Sequence, residues 1–152
     1  METLPEVLRP VDPVPAGAPL AIGAVLRAMG AMRARQALHD LTGATHAAGW
    51  ADADGTVALV REDVGRHNAL DKLVGALARQ AMPAGGGMVL VSSRASFEMV
   101  QKTASAGVGV LAAVSAPTAL AVRLADSAGI ALLGFLRGDD ATLYSHPERI
   151  TS

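Results

Sequence analysis

Ionisable chemistry is concentrated in one stretch of this chain, "REDVGRHNALDK", from Arg61 to Lys72. Six of its twelve residues are charged, whereas the whole chain is 18% charged and 51% hydrophobic. His67 stands beside Asp63 and Arg66, a grouping that suits proton transfer or anion binding. Arg61, Glu62, Asp71 and Lys72 read equally well as a solvated helix entrance. A second group is Ser92-Ser93-Arg94. Two hydroxyls and a guanidinium ahead of a helix suit an anion at the positive end of the helix dipole. The plainer reading is an N-cap at Ser93 with a surface arginine. Ser115 with Thr118 offers the same pair of readings, and His46 is a ligand, a base or a hydrogen-bonded strand histidine.

Several sharper motifs fail. "GVGVLA" imitates a dinucleotide fingerprint, but it lies between a helix and a strand, the reverse of the order that fingerprint needs. There is no P-loop. Ser92 or Ser93 with His67 and Asp63 lacks the G-x-S-x-G elbow of a hydrolase. "ADADG", Ala51–Gly55, is not an EF-hand loop, because its Gly comes too early and no bidentate Glu follows at the right place. The chain contains no cysteine, which removes disulfides, thiolate nucleophiles and Cys-ligated zinc from its own chemistry.

The elements that must position these groups follow from pattern. Residues 1–18 carry four prolines and read as an extended lead-in to one domain over 19–152. Leu20 to His39 reads as a helix, with Ile22, Leu26, Met29 and Met32 or Ala31 on one face. "LTGATHAAGWADADGTVALVRED" reads as two strands around an Asp-Ala-Asp-Gly turn. "NALDKLVGALARQ" reads as a helix with Asn68 as its N-cap and Leu70, Leu73, Val74 and Leu77 on its apolar face. Strand and helix then alternate: "MVLVSS", "ASFEMVQKTASA", "VGVLAAVS", "PTALAVRLADSA", "IALLGFL", with "ATLYS" a short last strand. Pro117 falls near the first turn of the last helix, and Gly129 just past its end.

Continuous apolar strands joined by helices predict an α/β fold, with a mostly parallel sheet covered on both faces. Right-handed crossovers bring the C-terminal strand ends to one edge. That edge gathers Ser92, Ser93, Arg94, Ser115, Thr118 and the run Phe135 to Gly138. Glu62 and Asp63 join it if their strand shares the direction. Ligands of open α/β sheets bind outside such an edge. With 152 residues, four aromatics and a net charge of −1, the chain suits a single core of small branched side chains. It has no basic footprint for nucleic acid. Its most apolar tract, from Val108, is broken by Ser115 and Pro117 and should not span a membrane. A cytoplasmic location is the expectation.

"LTGATHAAGW", "REDVGRHNALDKLVGAL", "VLVSSRASFEMVQK", "VLAAVSAPTALAV" and "LLGFLRGDDATLYSHPERI" together resemble the FdhD family, in this order and over nearly the whole chain. The resemblance implies a three-layer α/β/α, cytidine-deaminase-like fold. It also implies a sulfurtransferase that takes persulfide sulfur from a cysteine desulfurase. That sulfur goes to the molybdenum bis(molybdopterin guanine dinucleotide) cofactor destined for formate dehydrogenase, and family members resemble dimers. By resemblance the cofactor-binding stretch is Phe135, Leu136, Arg137, Gly138, Asp139 and Asp140. Asp63, Arg66, His67, Ser93, Arg94 and Ser115 become candidates for the wall of the site.

Three departures stand out. The family's persulfide carrier is a cysteine in a C-x-x-C-type loop N-terminal to the part matched here. No residue of this chain can fill that role, so the expectation is the cofactor-binding half, with a non-catalytic interaction module as the alternative. Asp139 and Asp140 stand where the family carries glycine and arginine, a change that should weaken phosphate binding. Ala44 stands where glycine is usual. Zinc deaminase chemistry is implied against, because His46-Ala47-Ala48 lacks the H-x-E glutamate and there are no cysteine ligands.

Overall fold

The computed structural model describes residues 13–39, 45–81 and 83–152. The first twelve residues of the lead-in, and Leu41 to Ala44, lie outside them. Strand β1 (Leu20–Ala21) leads into helix α1 (Ile22–His39). A hairpin of β2 (His46–Ala51) and β3 (Val57–Asp63) follows, then α2 (Arg66–Arg79). The alternating part is β4 (Met88–Val91), α3 (Phe97–Ser105), β5 (Val110–Ala113), α4 (Ala119–Ala128) and β6 (Ala131–Arg137). Strand β7 (Asp140–Leu143) folds back, and β8 (Ile150–Thr151) closes the described chain. The main sheet has the order β3-β2-β4-β5-β6-β7, and β1 pairs separately with β8.

The sheet is mixed. β4, β5 and β6 are mutually parallel, while β2 is antiparallel to both β3 and β4, and β7 is antiparallel to β6. Two reversals give β3 the direction of β4. Four of the six strands therefore point one way, and Asp63 does end at the same edge as Val91, Ala113 and Arg137.

Strand parity builds two cores on one sheet, because successive side chains face opposite sides. Leu59, Val89, Val91, Leu111 and Leu132 pack with Leu70, Leu73, Met99 and Leu124 of α2, α3 and α4. Ala47, Val57, Met88, Leu90, Ala112 and Leu133 pack with Val25, Ala28 and Met32 of α1. One helix covers one face and three cover the other. Small residues let α1 lie close: a Cβ on Gly49 would stand 2.9 Å from Met32 Sδ.

Three helix starts differ from the sequence reading. Leu20 and Ala21 pair in parallel with Ile150 and Thr151, so α1 begins at Ile22. α2 begins at Arg66 with Gly65 as its N-cap, and Asn68 lies inside the first turn. The cause is Asp63, whose Oδ1 accepts the Gly65 N–H at 3.0 Å and turns the chain early. α3 begins after Ser96, not Ser93, and the Ser96 side chain makes no cap hydrogen bond. A parallel bridge from Ala95 to Pro117 keeps the chain extended through that point. α4 starts as read, with Thr118 Oγ1 accepting the Ala121 N–H at 3.1 Å, although Pro117 precedes the cap. At its far end Gly129 takes the left-handed conformation (φ 74°) that closes helices.

The lead-in is tied down by Arg149. Its Nη2 donates to the carbonyls of Val14 and Pro15 at 2.8 and 3.0 Å, and its Nε donates to Gly129. Next to it, His146 Nδ1 lies 2.6 Å from Glu148 Oε1 and Nε2 lies 2.7 Å from the Asp126 carbonyl. Acceptors at both nitrogens favour the doubly protonated ring. The Asp126 carbonyl first, then Glu148, raises the His146 pKa above its ordinary value. A raised folded pKa contributes stability that is full below the unfolded value, roughly 6.5. That stability is lost as pH rises through the folded one. Urea melts of wild type and His146→Asn should therefore differ more at pH 5.5 than at pH 9. Equal differences would contradict this role. Asn tolerates the left-handed backbone (φ 47°) at this position.

Candidate functional site

The C-terminal strand edge holds two separate groups, one on each face of the sheet. On the α1 face lies a cavity of about 410 Å³. Leu26, Met29, Gly30 and Arg33 of α1 line one side, and Val114, Leu136, Arg137 and Gly138 line the other. Among the described residues its lining combines the apolar Leu26, Met29, Val114 and Leu136 with two arginines. Among the described residues, no carboxylate lines it. That is the electrostatic character of an anion site with an apolar shelf for a ring.

The β6–β7 hairpin shapes this cavity. Pairing is irregular between Gly134 and Arg137, and Phe135 adopts a left-handed φ of 56°. For a bulky residue that costs about 1–3 kcal/mol. The kink turns the Phe135 ring outward, 43% exposed, while Leu136 next to it is buried against the α1 core. Arg137 and Gly138 follow into the turn. Gly138 has φ 57° with nothing within 4 Å of a built Cβ, so it holds the turn open where a ligand would approach. Gly134 is the tight point. A Cβ there would lie 3.0 Å from Pro117 Cδ and from the Ser115 carbonyl oxygen, and 3.1 Å from the Tyr144 ring.

The six residues implied by resemblance thus divide. Leu136, Arg137 and Gly138 line the cavity, and Phe135 faces outward. Asp139 lines a different hollow of about 310 Å³, with Ile22, Ala141, Leu143 and Ile150. Asp140 opens β7 opposite Arg137. Neither carboxylate lines the arginine-flanked cavity, so neither faces an anion held there.

The group on the other face is built from α2 and α3. Lys72 Nζ lies 2.8 Å from Asp63 Oδ2 and also donates to the Glu62 carbonyl at 3.0 Å. Lys72 first, then the Gly65 N–H, lowers the Asp63 pKa. His67 Nδ1 stands 3.4 Å from Glu98 Oε2, an ion-pair distance when the ring is protonated, but Nδ1 is buried without a hydrogen bond. Arg66 is exposed at the start of α2. Ser93 is 7% exposed, and its hydroxyl donates to the Arg94 carbonyl. Ser92 Oγ accepts the Ala47 N–H at 2.8 Å, so it extends the sheet. Ser115 gives its carbonyl to the Phe135 N–H. None of Asp63, Arg66, His67, Ser93, Arg94 and Ser115 lines the α1-face cavity. Within the described residues, no group of three or more His, Asp or Glu side chains could hold a metal ion. None of the described helices is long and apolar enough to cross a membrane.

Arg33 lines the cavity without any strong mark in the sequence that singles it out. An arginine on an alanine-rich helix reads as solvated surface. The available signal was its spacing of three from Gln36, a pair that meets on a helix face.

A three-layer α/β/α protein with a cavity at its strand edge is the class that fold and site define. A solved structure shares that architecture. A crystal structure described as that of a candidate formate dehydrogenase accessory protein from Desulfotalea psychrophila matches with a TM-score of 0.81 and 28% identity. The match covers 96% of this chain and 62% of that one. The FdhD/NarQ family profile matches residues 2–151, and the chain belongs to that family. It is 71% identical over 150 residues to a sulfur carrier protein FdhD of Bordetella petrii. It is 68% identical over 152 residues to that of Bordetella bronchiseptica, and 56% over 149 to that of Variovorax paradoxus. The chain spans about half the length of these curated relatives, 54%, 55% and 54% respectively.

Proposed function

We propose that this chain is the cofactor-binding part of a formate dehydrogenase accessory sulfur carrier. Its ligand is the guanine dinucleotide end of the molybdenum bis(molybdopterin guanine dinucleotide) cofactor, held as cargo while sulfur is delivered. The observation that carries this reading is the α1-face cavity, flanked by Arg33 and Arg137 and, among the described residues, lined by no carboxylate. At about 410 Å³ it falls within the common range for ligand pockets, roughly 300–1,000 Å³, and suits a nucleotide diphosphate better than the whole cofactor. Leu26, Met29, Val114 and Leu136 supply apolar contact for a ring, and the guanidiniums take phosphate oxygens.

The sulfur itself must be carried elsewhere. A persulfide needs a thiolate, and this chain has no cysteine. Partner chemistry therefore comprises a thiol-bearing segment or protein fed by a cysteine desulfurase, and the recipient is a formate dehydrogenase, with action in the cytoplasm. The same absence supports a second reading, a non-catalytic paralogue that serves as an interaction module or joins a second copy.

Calorimetry with GDP separates the readings at the site. Saturable binding at micromolar to sub-millimolar ligand is expected of the cofactor-binding part. No heat up to millimolar GDP leaves the interaction module. In a cell lacking its own FdhD, this chain alone should fail to restore formate dehydrogenase activity. Restoration without a supplied cysteine partner would contradict both versions.

A further inference from the structure

We infer that Arg33 of α1 is a diphosphate-binding residue, and that Gln36 is the positioning residue that sets its guanidinium against Arg137. The inference rests on the proposed nucleotide reading of the cavity and adds residues outside the β6–β7 hairpin. Arg33 Nη1 donates to Gln36 Oε1 at 3.0 Å. Gln36 is only 7% exposed, and its Nε2 donates to the Thr45 carbonyl at 2.8 Å. Thr45 Oγ1 in turn donates to Glu62 Oε1 at 3.1 Å. This relay anchors an exposed arginine of α1 to the start of β2 and to β3.

A surface arginine normally samples many rotamers, and ordering it costs entropy on binding. Here one of its five donors is held by a buried amide, so part of that ordering precedes the ligand. Arg33 lines the cavity from the helix, and Arg137 lines it from the strand end. The ligand class is two linked phosphates. A lone carboxylate would need one guanidinium, whereas a diphosphate offers oxygens to two at once. Gly30, one turn from Arg33, has nothing within 4 Å of a built Cβ and leaves the approach open.

The test is a set of titrations of GDP, inorganic pyrophosphate and guanosine into wild type, Arg33→Gln, Arg33→Lys and Gln36→Leu. Arg33→Gln should bind GDP and pyrophosphate about tenfold or more weakly, the loss expected of one charge-assisted hydrogen bond. Guanosine binding should not change. Arg33→Lys should recover part of the loss, since it restores charge without the planar fork. Gln36→Leu should lose about threefold on the phosphate ligands alone, a selectivity that a merely structural defect would not show. Thermal melts report whether each variant is folded, and Arg33→Lys keeps the question answerable if Arg33→Gln is not. GDP bound equally by wild type and both Arg33 variants overturns the inference and leaves the cofactor reading standing. A wild type that binds neither GDP nor pyrophosphate overturns both.

Discussion

Arg137→Glu should weaken GDP binding by at least about 100-fold, the largest effect expected of any single change at the site. The substitution removes a charge-assisted hydrogen bond worth about 1.5–3 kcal/mol. It also places a carboxylate against phosphate oxygens in a cavity where, among the described residues, Arg33 is the other charged lining residue. Both effects act in the same direction. Arg137 is exposed and its backbone pairs with Asp140 in the hairpin, so the fold should persist. Calorimetry on wild type and variant, with matched thermal melts, measures the effect. Binding within threefold of wild type would place the ligand elsewhere.

Gly87→Ala should be the most destabilising small substitution, by about 3 kcal/mol, the upper end of ordinary overpacking. Gly87 has φ −116° and ψ −153°, a backbone that any residue adopts. The cost is steric. A Cβ would meet the Ala51 carbonyl oxygen, and it would stand 2.5 Å from Trp50 Cζ2 and 2.6 Å from Cε2. The Trp50 ring cannot retreat easily. It is 5% exposed in the core, and its Nε1 donates to the Ala84 carbonyl at 3.0 Å. Near this chain length each kcal/mol lowers Tm by about 2–4 °C, so a fall of about 6–12 °C is expected. Trp50 is the only tryptophan, so its fluorescence reports the transition directly. A Tm within 2 °C of wild type would show that the ring and the strand end can move apart.

The order of elements was legible because strand runs such as "MVLV" and "VLAA" stand between helices with clear start and stop residues. The shared edge was legible from topology, including its condition that β3 run with β4. Strand direction itself was hidden. The "ADADG" turn marks a hairpin, but only the placement of β2 between β3 and β4 sends Asp63 to the edge where β4, β5 and β6 end. Helix starts slipped by two or three residues where a local turn or a long-range bridge outweighed capping preference. Asp63 bonded the Gly65 N–H, and Ala95 bridged Pro117.

The division of the edge between two faces could not be read at all. It depends on side-chain parity along strands that are apolar on both sides, where the sequence shows no alternation to follow. So "REDVGRHNALDK" and "FLRGDD" looked like parts of one site. The structure puts Leu136 in the α1-face core and Leu70 in the opposite one. Arg33 stayed hidden for a related reason: its partner Gln36 is buried only because β2 returns beneath α1 and presents the Thr45 carbonyl.

The central claim is the identity of the cavity between α1 and the end of β6 as the nucleotide site. A crystal structure of this chain with GDP tests it most directly. The diphosphate is expected between Arg33 and Arg137, with the base against Leu26, Met29, Val114 and Leu136. GDP seated instead on the α2–α3 face beside His67 and Glu98 would contradict it.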